Sequence, residues 1–129
     1  MSIVGTIALI TEVVTEAEKL KGYYDDTGLD MHIAVKKNGM LAVSTKHWGR
    51  VHYIVTEKQP NEIWTIVKEV AENIGRTLIK SEKGPYVYIN KLNIDQTQQV
   101  FDKFKATLGD NVERHMEWSW NIEDAILPS

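Results

Sequence analysis

The sequence predicts a single α+β domain spanning residues 1–129. Strand-like and helix-like patterns alternate from residue 50 onward in the order of a ferredoxin-like βαββαβ unit, at about residues 50–121. An Asn-Gly pair between two alternating runs predicts a β-hairpin ahead of this unit. An amphipathic stretch near the N-terminus predicts a helix before the hairpin.

The composition supports a globular chain and excludes several functional classes. Of the 129 residues, 43% are hydrophobic and 26% are charged. The absence of cysteine excludes disulfides, thiol catalysis and cysteine-based zinc sites. No apolar run approaches the roughly 20 residues of a membrane span, and the start does not resemble a signal peptide. We therefore expect a soluble cytoplasmic protein that does not associate with membranes.

The first predicted element is one amphipathic helix over residues 3–20. On a helical wheel most of its apolar side chains fall on one side and its charged side chains on the other. Gly22 is placed to end it. A strand followed by a shorter helix remains an alternative, because the first residues are rich in strand formers.

A three-stranded meander is predicted next. Residues 31–37 alternate, Asn38 and Gly39 suit a type I′ turn, and residues 41–47 form the returning strand. A second turn at Trp48 and Gly49 leads into a strand over residues 51–57.

A helix and a second hairpin follow the meander. Pro60 opens a helix with a broad apolar stripe, and Gly75 is placed to end it. Residues 76–82 and 86–92 flank a turn at residues 83–85, which predicts a hairpin.

The last helix and the last strand complete the predicted unit. Asp95 is expected to cap the helix, with Gln98 completing a capping box, and Gly109 to close it. In the strand at residues 112–121, alternation places one row in the core and the other on the open face of the sheet. The core row is Met116, Trp118 and Trp120, and the open row is Glu113, His115 and Glu117. An irregular tail is expected from residue 122.

The open row is a weak candidate for a catalytic site. A carboxylate of Glu113 or Glu117 could polarise His115, or the three side chains could bind a divalent metal. The other histidines, His32, His47 and His52, also lie on predicted strands and could meet across the sheet. No spacing matches a zinc signature, and no nucleotide-binding loop is present, so we expect neither a metal site nor a cofactor. An exposed face that simply carries polar residues is the favoured explanation of the pattern.

A basic strip is the candidate for binding an anion. Between residues 30 and 58 lysines and arginines outnumber acids, although the whole chain has a net charge of −3. The turn at residues 47–52 adds two histidines and an indole. The candidate ligand-binding residues are Lys36, Lys46, His47, Arg50 and His52. Solvated strand ends are the alternative explanation of these charges.

Residues 86–97, with the helix that follows, resemble the opening strand, loop and first helix of an RNA-recognition motif. The resemblance implies that Tyr86 and Tyr88 stack on bases and that Lys91 lies near phosphate. It is a resemblance of strand-then-helix patterning: the order of Asn90 and Lys91 is reversed relative to that motif, and too few elements follow the helix.

Three functions therefore remain open. The leading one is a non-catalytic binding or regulatory module that acts through its open sheet face or basic hairpin and forms a homodimer or binds another protein. Tyr86, Tyr88 and Trp48 are its candidate interface residues. The second is a small enzyme that uses His115. The third is a nucleic-acid-binding protein that uses Lys36, Lys37, Lys46 and Arg50 with Tyr86 and Tyr88, against which the sequence pI of about 5.8 argues.

Overall fold

A computed structural model describes residues 28–115 and 120–128. These ranges contain six strands and two helices, which confirms the α+β class. In chain order they are β1 (Leu29–Val35), β2 (Met40–Thr45), β3 (Arg50–Val55), α1 (Pro60–Asn73), β4 (Ile79–Lys80), β5 (Val87–Leu92), α2 (Ile94–Leu108) and β6 (Val112–Arg114). The predicted helix at residues 3–20 lies outside the described residues.

The strands form one antiparallel sheet in the order β4-β5-β1-β2-β3-β6. The predicted meander is confirmed, because β1 pairs with β2 and β2 pairs with β3. A split βαβ unit places one strand between the two parallel strands that its helix connects. Here β2, β1 and β5 lie between β3 and β4, so the β1–β2 hairpin occupies the centre of the sheet.

Both helices pack on one side of the sheet, which we call the helix-covered face. The apolar stripe predicted for α1 is confirmed, since buried residues recur every three or four positions along it and so share one side of the helix. They meet the apolar row of β1, β2, β3 and β5 and the buried side of α2. The fully buried members of this core include Met31, Ile33, Leu41, Ile54, Ile63, Ile89 and Phe104.

The capping box of α2 lies two residues earlier than the sequence predicts. Asn93 Oδ1 accepts a hydrogen bond from the backbone N–H of Gln96 at 2.8 Å. Gln96 Oε1 accepts one from the backbone N–H of Asn93 at 3.0 Å. Asp95 instead lies in the first turn, where a carboxylate interacts favourably with the helix dipole. The prediction that Asp95 caps with Gln98 was therefore wrong.

The β1–β2 turn forms where Asn38 and Gly39 predict it, but it is not of type I′. That type requires a positive φ at both central residues. Gly39 meets this requirement with φ +84°, but Asn38 does not. Among the described non-glycine residues a positive φ is found at Lys91 instead. The Gly39 amide donates to the Lys36 carbonyl at 3.0 Å, which closes the turn one residue earlier.

The last strand is shorter than the alternation predicts. β6 ends at Arg114, and the His115 amide still donates to the Val51 carbonyl at 3.2 Å. Residues 116–119, including Met116, Glu117 and Trp118, lie outside the described residues. Trp120 belongs to an irregular segment and packs near His32 and Tyr86. The prediction that this indole continues a strand was wrong.

Candidate functional site

The side of the sheet opposite the helices, which we call the second face, has a small core of its own. Its buried members are Ala34, Ala42, Val51, Tyr53, Tyr86 and Ile122. Strand alternation produces it, because residues that neighbour the large apolar row of each strand point to the opposite side. The second face is therefore partly covered, and the sequence did not predict this cover.

The cover is the segment 120–126, which is fixed at several points. The Asn121 amide donates to the Tyr53 hydroxyl at 3.1 Å. The Ile126 amide donates to the Val35 carbonyl at 2.8 Å, and the Ile126 carbonyl accepts from Trp64 Nε1 at 2.6 Å. Because Trp64 lies on α1, the segment connects the second face to the helices.

Beside this segment lies an aromatic cleft with a volume of about 520 Å³. Its lining consists of Asp30, His32, residues 79–83, Tyr86 and Tyr88. The ring centroid of His32 is 5.4 Å from that of Tyr86 and 6.2 Å from that of Tyr88. Trp120 flanks the cleft, with its centroid 6.3 Å from His32. Four rings thus converge at one place on the second face.

Two strands and one loop position these side chains. β1 and β5 pair with His32 opposite Tyr88, so both side chains point to the second face. The loop after β4 folds over Tyr86: the Ser81 amide donates to the Tyr86 carbonyl at 3.0 Å. A Cβ atom at Gly84 would lie 3.2 Å from the Tyr86 ring, so the absence of a side chain there lets the loop approach. The loop brings Lys83 to the cleft.

A smaller recess of about 370 Å³ adjoins the cleft and shares Asp30, His32 and Lys83 with it. Gly28, Leu29 and Lys46 complete its lining. Burial lowers the pKa of His32 below its ordinary value of 6.5, Asp30 opposes this shift, and Lys46 and Lys83 add to it. The imidazole is therefore mainly neutral at pH 7, between two ammonium groups and one carboxylate.

Of the predicted anion-binding residues, the structure brings Arg50 and His52 together on β3 and places the three others elsewhere. Lys36 lies at the turn end of the β1–β2 hairpin, where its Nζ atom is 3.7 Å from Asp124 Oδ1. Lys46 lies beyond the opposite end of β2, beside the cleft. His47 is exposed in the β2–β3 turn. The pairing of Lys36 with Asp124 makes it part of the contact to the segment 120–126.

Arg50 and His52 lie on the helix-covered side of β3. The ring of His52 stacks on Trp48, with centroids 4.6 Å apart and an angle of 11° between the planes. Phe101 of α2 contacts both rings, at 5.0 Å from His52 and 5.1 Å from Trp48. Trp48, predicted as an interface residue, packs against the core in this way.

The histidines are separated rather than gathered. His32 and His115 lie on the second face, His52 on the helix-covered face and His47 in a turn. His115 contacts the ring of Tyr53 edge-on at 4.6 Å, and Glu113 is exposed opposite Tyr53. Glu117 lies outside the described residues. In the part of the chain that the structure describes, no three acidic, histidine or cysteine side chains are grouped to bind a metal.

Sequence reasoning did not single out Asp30 or Lys83, and it left His32 as one strand histidine among several. The alternation of β1 contains the signal for His32, since Met31 and Ile33 point to the helices and His32 must point away. Lys83 has no comparable signal, because its position depends on how the loop folds over Tyr86.

No protein-family model matches the chain, and neither a curated protein nor a solved structure matches it. Within residues 28–115 and 120–128 no helix has the length and apolar character needed to cross a membrane.

Proposed function

We propose that the protein is a non-catalytic binding module whose aromatic cleft takes a small ligand with a planar ring and an acidic group. The observation that carries this proposal is the convergence of His32, Tyr86 and Tyr88 with Lys46 and Lys83 on the second face. A homodimer and a cytoplasmic location stay predictions.

The rings favour a planar ligand. Tyr86 is 9% exposed and is held edge-on by Trp120 at 5.5 Å, so it forms a fixed wall. Tyr88 and His32 are half-buried and offer ring surface to the cleft. Aromatic side chains contribute their largest interaction energies when a second ring packs against them in offset or edge-on geometry.

The charges favour an acidic group on that ligand. The lining of the cleft has as many lysines as carboxylates, and Lys46 in the adjoining recess gives the cations the excess. Lys46 and Lys83 lower the pKa of His32, and Asp30 opposes that shift. A carboxylate or phosphate placed between the lysines would gain charge-assisted hydrogen bonds and would also favour protonation of His32. The ligand would therefore bind more tightly as the pH falls towards the pKa of His32.

The dimensions favour a small ligand over a long one. A volume of about 520 Å³ lies within the range of pockets that hold small molecules. The other lysines predicted for a nucleic-acid surface do not extend the cleft: Lys36 is engaged with Asp124, and Lys37 lies in the same turn. The segment 120–126 also occupies part of the face that a longer strand would need.

An NMR-monitored titration tests this proposal. Its probes are adenosine 5′-monophosphate, adenosine and inorganic phosphate. We expect the monophosphate to shift the His32 and Tyr88 signals more strongly than either fragment. Lys83→Ala and Tyr88→Leu should each weaken its binding about tenfold. Lys103→Ala, an exposed lysine on α2, is the matched control and should leave the binding unchanged.

Two outcomes would overturn the proposal. The first is that none of the probes moves the His32 signals at concentrations up to about 10 mM, which corresponds to a binding energy too small for a specific site. The second is that single-stranded oligonucleotides bind far more tightly than the monophosphate and lose affinity steeply with salt, which would indicate a nucleic-acid-binding protein.

A further inference from the structure

A second group of basic residues surrounds the Trp48–His52 stack on the other side of the sheet. The pairing of β3 with β6 places Arg114 directly opposite His52. Arg50 precedes His52 by two residues and so lies on the same face of β3. Lys105 Nζ lies 5.1 Å from the centroid of Phe101, the ring that contacts His52. Three cations from three elements therefore surround one histidine.

His52 is a fixed part of this corner. It is 9% exposed, and its Nδ1 atom is buried without a hydrogen-bond partner among the described residues. Burial, followed in order by the charges of Arg114, Arg50 and Lys105, lowers its pKa to about 4. The imidazole is consequently neutral at pH 7, and the local positive charge comes from the three surrounding side chains.

The acids nearby do not balance these cations. Asp102 Oδ1 lies 3.4 Å from Lys105 Nζ, in an exposed pair within α2. Within the described residues neither Arg50 nor Arg114 forms an ion pair. Because the whole chain has a net charge of −3, a local excess of cations at one corner is not a consequence of composition.

We infer that this basic corner, formed by Arg50, Lys105 and Arg114 around Trp48 and His52, binds a phosphate group. Guanidinium groups match phosphate oxygens through paired hydrogen bonds, and a lysine adds a further point charge. The corner lies on the opposite side of the sheet from the aromatic cleft, so it is a separate site that does not depend on the proposed function.

NMR titration with inorganic phosphate, against sodium chloride of equal ionic strength, tests the inference. We expect saturable shifts of the His52 ring signals and a rise of the His52 pKa, because a bound anion stabilises the imidazolium. The His32 signals report the aromatic cleft in the same spectra. Glycerol 3-phosphate in a parallel titration distinguishes free phosphate from a phosphate ester as the preferred form.

Substitutions that are expected to change the phosphate affinity in opposite directions make the test more specific. Arg50→Gln and Arg114→Gln should each weaken phosphate binding about tenfold. Asp102→Asn should strengthen it severalfold, because it removes a carboxylate that competes for Lys105. Lys103→Gln, exposed on the same helix, is the control and should have no effect.

Shifts that chloride reproduces, or that do not saturate, would overturn the inference. So would Arg50→Gln and Arg114→Gln variants that keep the wild-type phosphate affinity. If those variants also become dimeric in light scattering, the arginines serve to protect the sheet edge from pairing instead. Circular dichroism of each variant confirms that it is folded before its affinity is compared.

Discussion

The two faces of the sheet are built from residues of different size and are covered in different ways. The helix-covered face buries large side chains such as Met31, Ile33 and Phe104 between the strands and two helices. The second face buries Ala34 and Ala42 at its centre and is covered by an irregular segment. The difference indicates that the helix-covered face supplies most of the stability, while the second face leaves an open cleft beside its cover.

The small side chains also explain why the segment 120–126 can lie on the sheet. Ala34 and Ala42 are directly paired on neighbouring strands, and both are fully buried. Larger residues there would hold the segment away from the backbone. The aromatic cleft lies beside this region of small side chains, where the rings of Tyr86 and Trp120 pack edge-on and form a wall. Residue size along the strands therefore positions both the cover and the cleft.

Substituting Phe104 tests the contrast most strongly. Phe104→Ala should lower the free energy of unfolding by about 3–5 kcal/mol, because it removes a fully buried ring from the larger core. Tyr88→Ala on the second face should cost less than about 1 kcal/mol, since its ring is half-buried at the cleft. Urea denaturation measures both. Equal losses would contradict the division of roles between the two faces.

Acid should destabilise the protein through the helix-covered face. His52 has a pKa of about 4 in the folded state and an ordinary value of 6.5 when unfolded. Above pH 6.5 both states are neutral and the group has no effect. Between pH 6.5 and 4 the unfolded state binds a proton that the folded state does not, so stability falls by up to about 3 kcal/mol. Chemical denaturation at a series of pH values measures this loss.

The variant His52→Phe isolates that contribution, because it keeps a ring between Trp48 and Phe101 but cannot titrate. Its stability should depend less on pH than that of the wild type across the same window. The pKa of His32 is also lowered, by burial first, so a smaller loss of the same sign should remain. Parallel profiles of the wild type and His52→Phe would mean that His52 has the same pKa in the folded and unfolded states, which would contradict its burial between Trp48 and Phe101.

The helix-covered face was predictable from the sequence and the second face was not. The spacing of Ile63, Val67 and Val70 predicts the buried side of α1, and the alternation of β1 predicts its apolar row. The strand order was harder to predict. Adjacent strands along the chain pair locally, but the insertion of the β1–β2 hairpin between β3 and β5 depends on long-range packing.

The candidate site depended on contacts between residues that are distant in sequence. The sequence predicts Tyr86 and Tyr88 as aromatics that a strand presents on the sheet, and Lys46 as a cation, whereas Tyr86 is buried in the structure. Their meeting with His32 and Lys83 requires the pairing of β1 with β5 and the fold of the loop after β4. The alternation of residues 112–121 was misleading, because a pattern of period two cannot indicate where a strand leaves the sheet.

Removing the hydrogen bond from Trp64 tests how the two faces are connected. Trp64→Phe deletes the donor to the Ile126 carbonyl at 2.6 Å and leaves a small cavity, for a loss of about 1–2 kcal/mol. The Ile126 amide, which donates to Val35, should then exchange its hydrogen faster than the amides of β1. Hydrogen exchange measures this. Unchanged exchange at Ile126 would indicate that the segment is held by the second face alone.

The smallest expected effect concerns the ion pair at the edge of the second face. Lys36 Nζ lies 3.7 Å from Asp124 Oδ1, and the Asp124 side chain is 42% exposed. Lys36→Met keeps the apolar stem and removes the charge, so it should cost less than about 1 kcal/mol. A double-mutant cycle with Asp124→Asn measures the coupling, which should decrease as salt is added. A coupling well above about 1 kcal/mol that persists in high salt would mean that charge, rather than the packing of Ile122 and Trp120, holds the segment on the sheet.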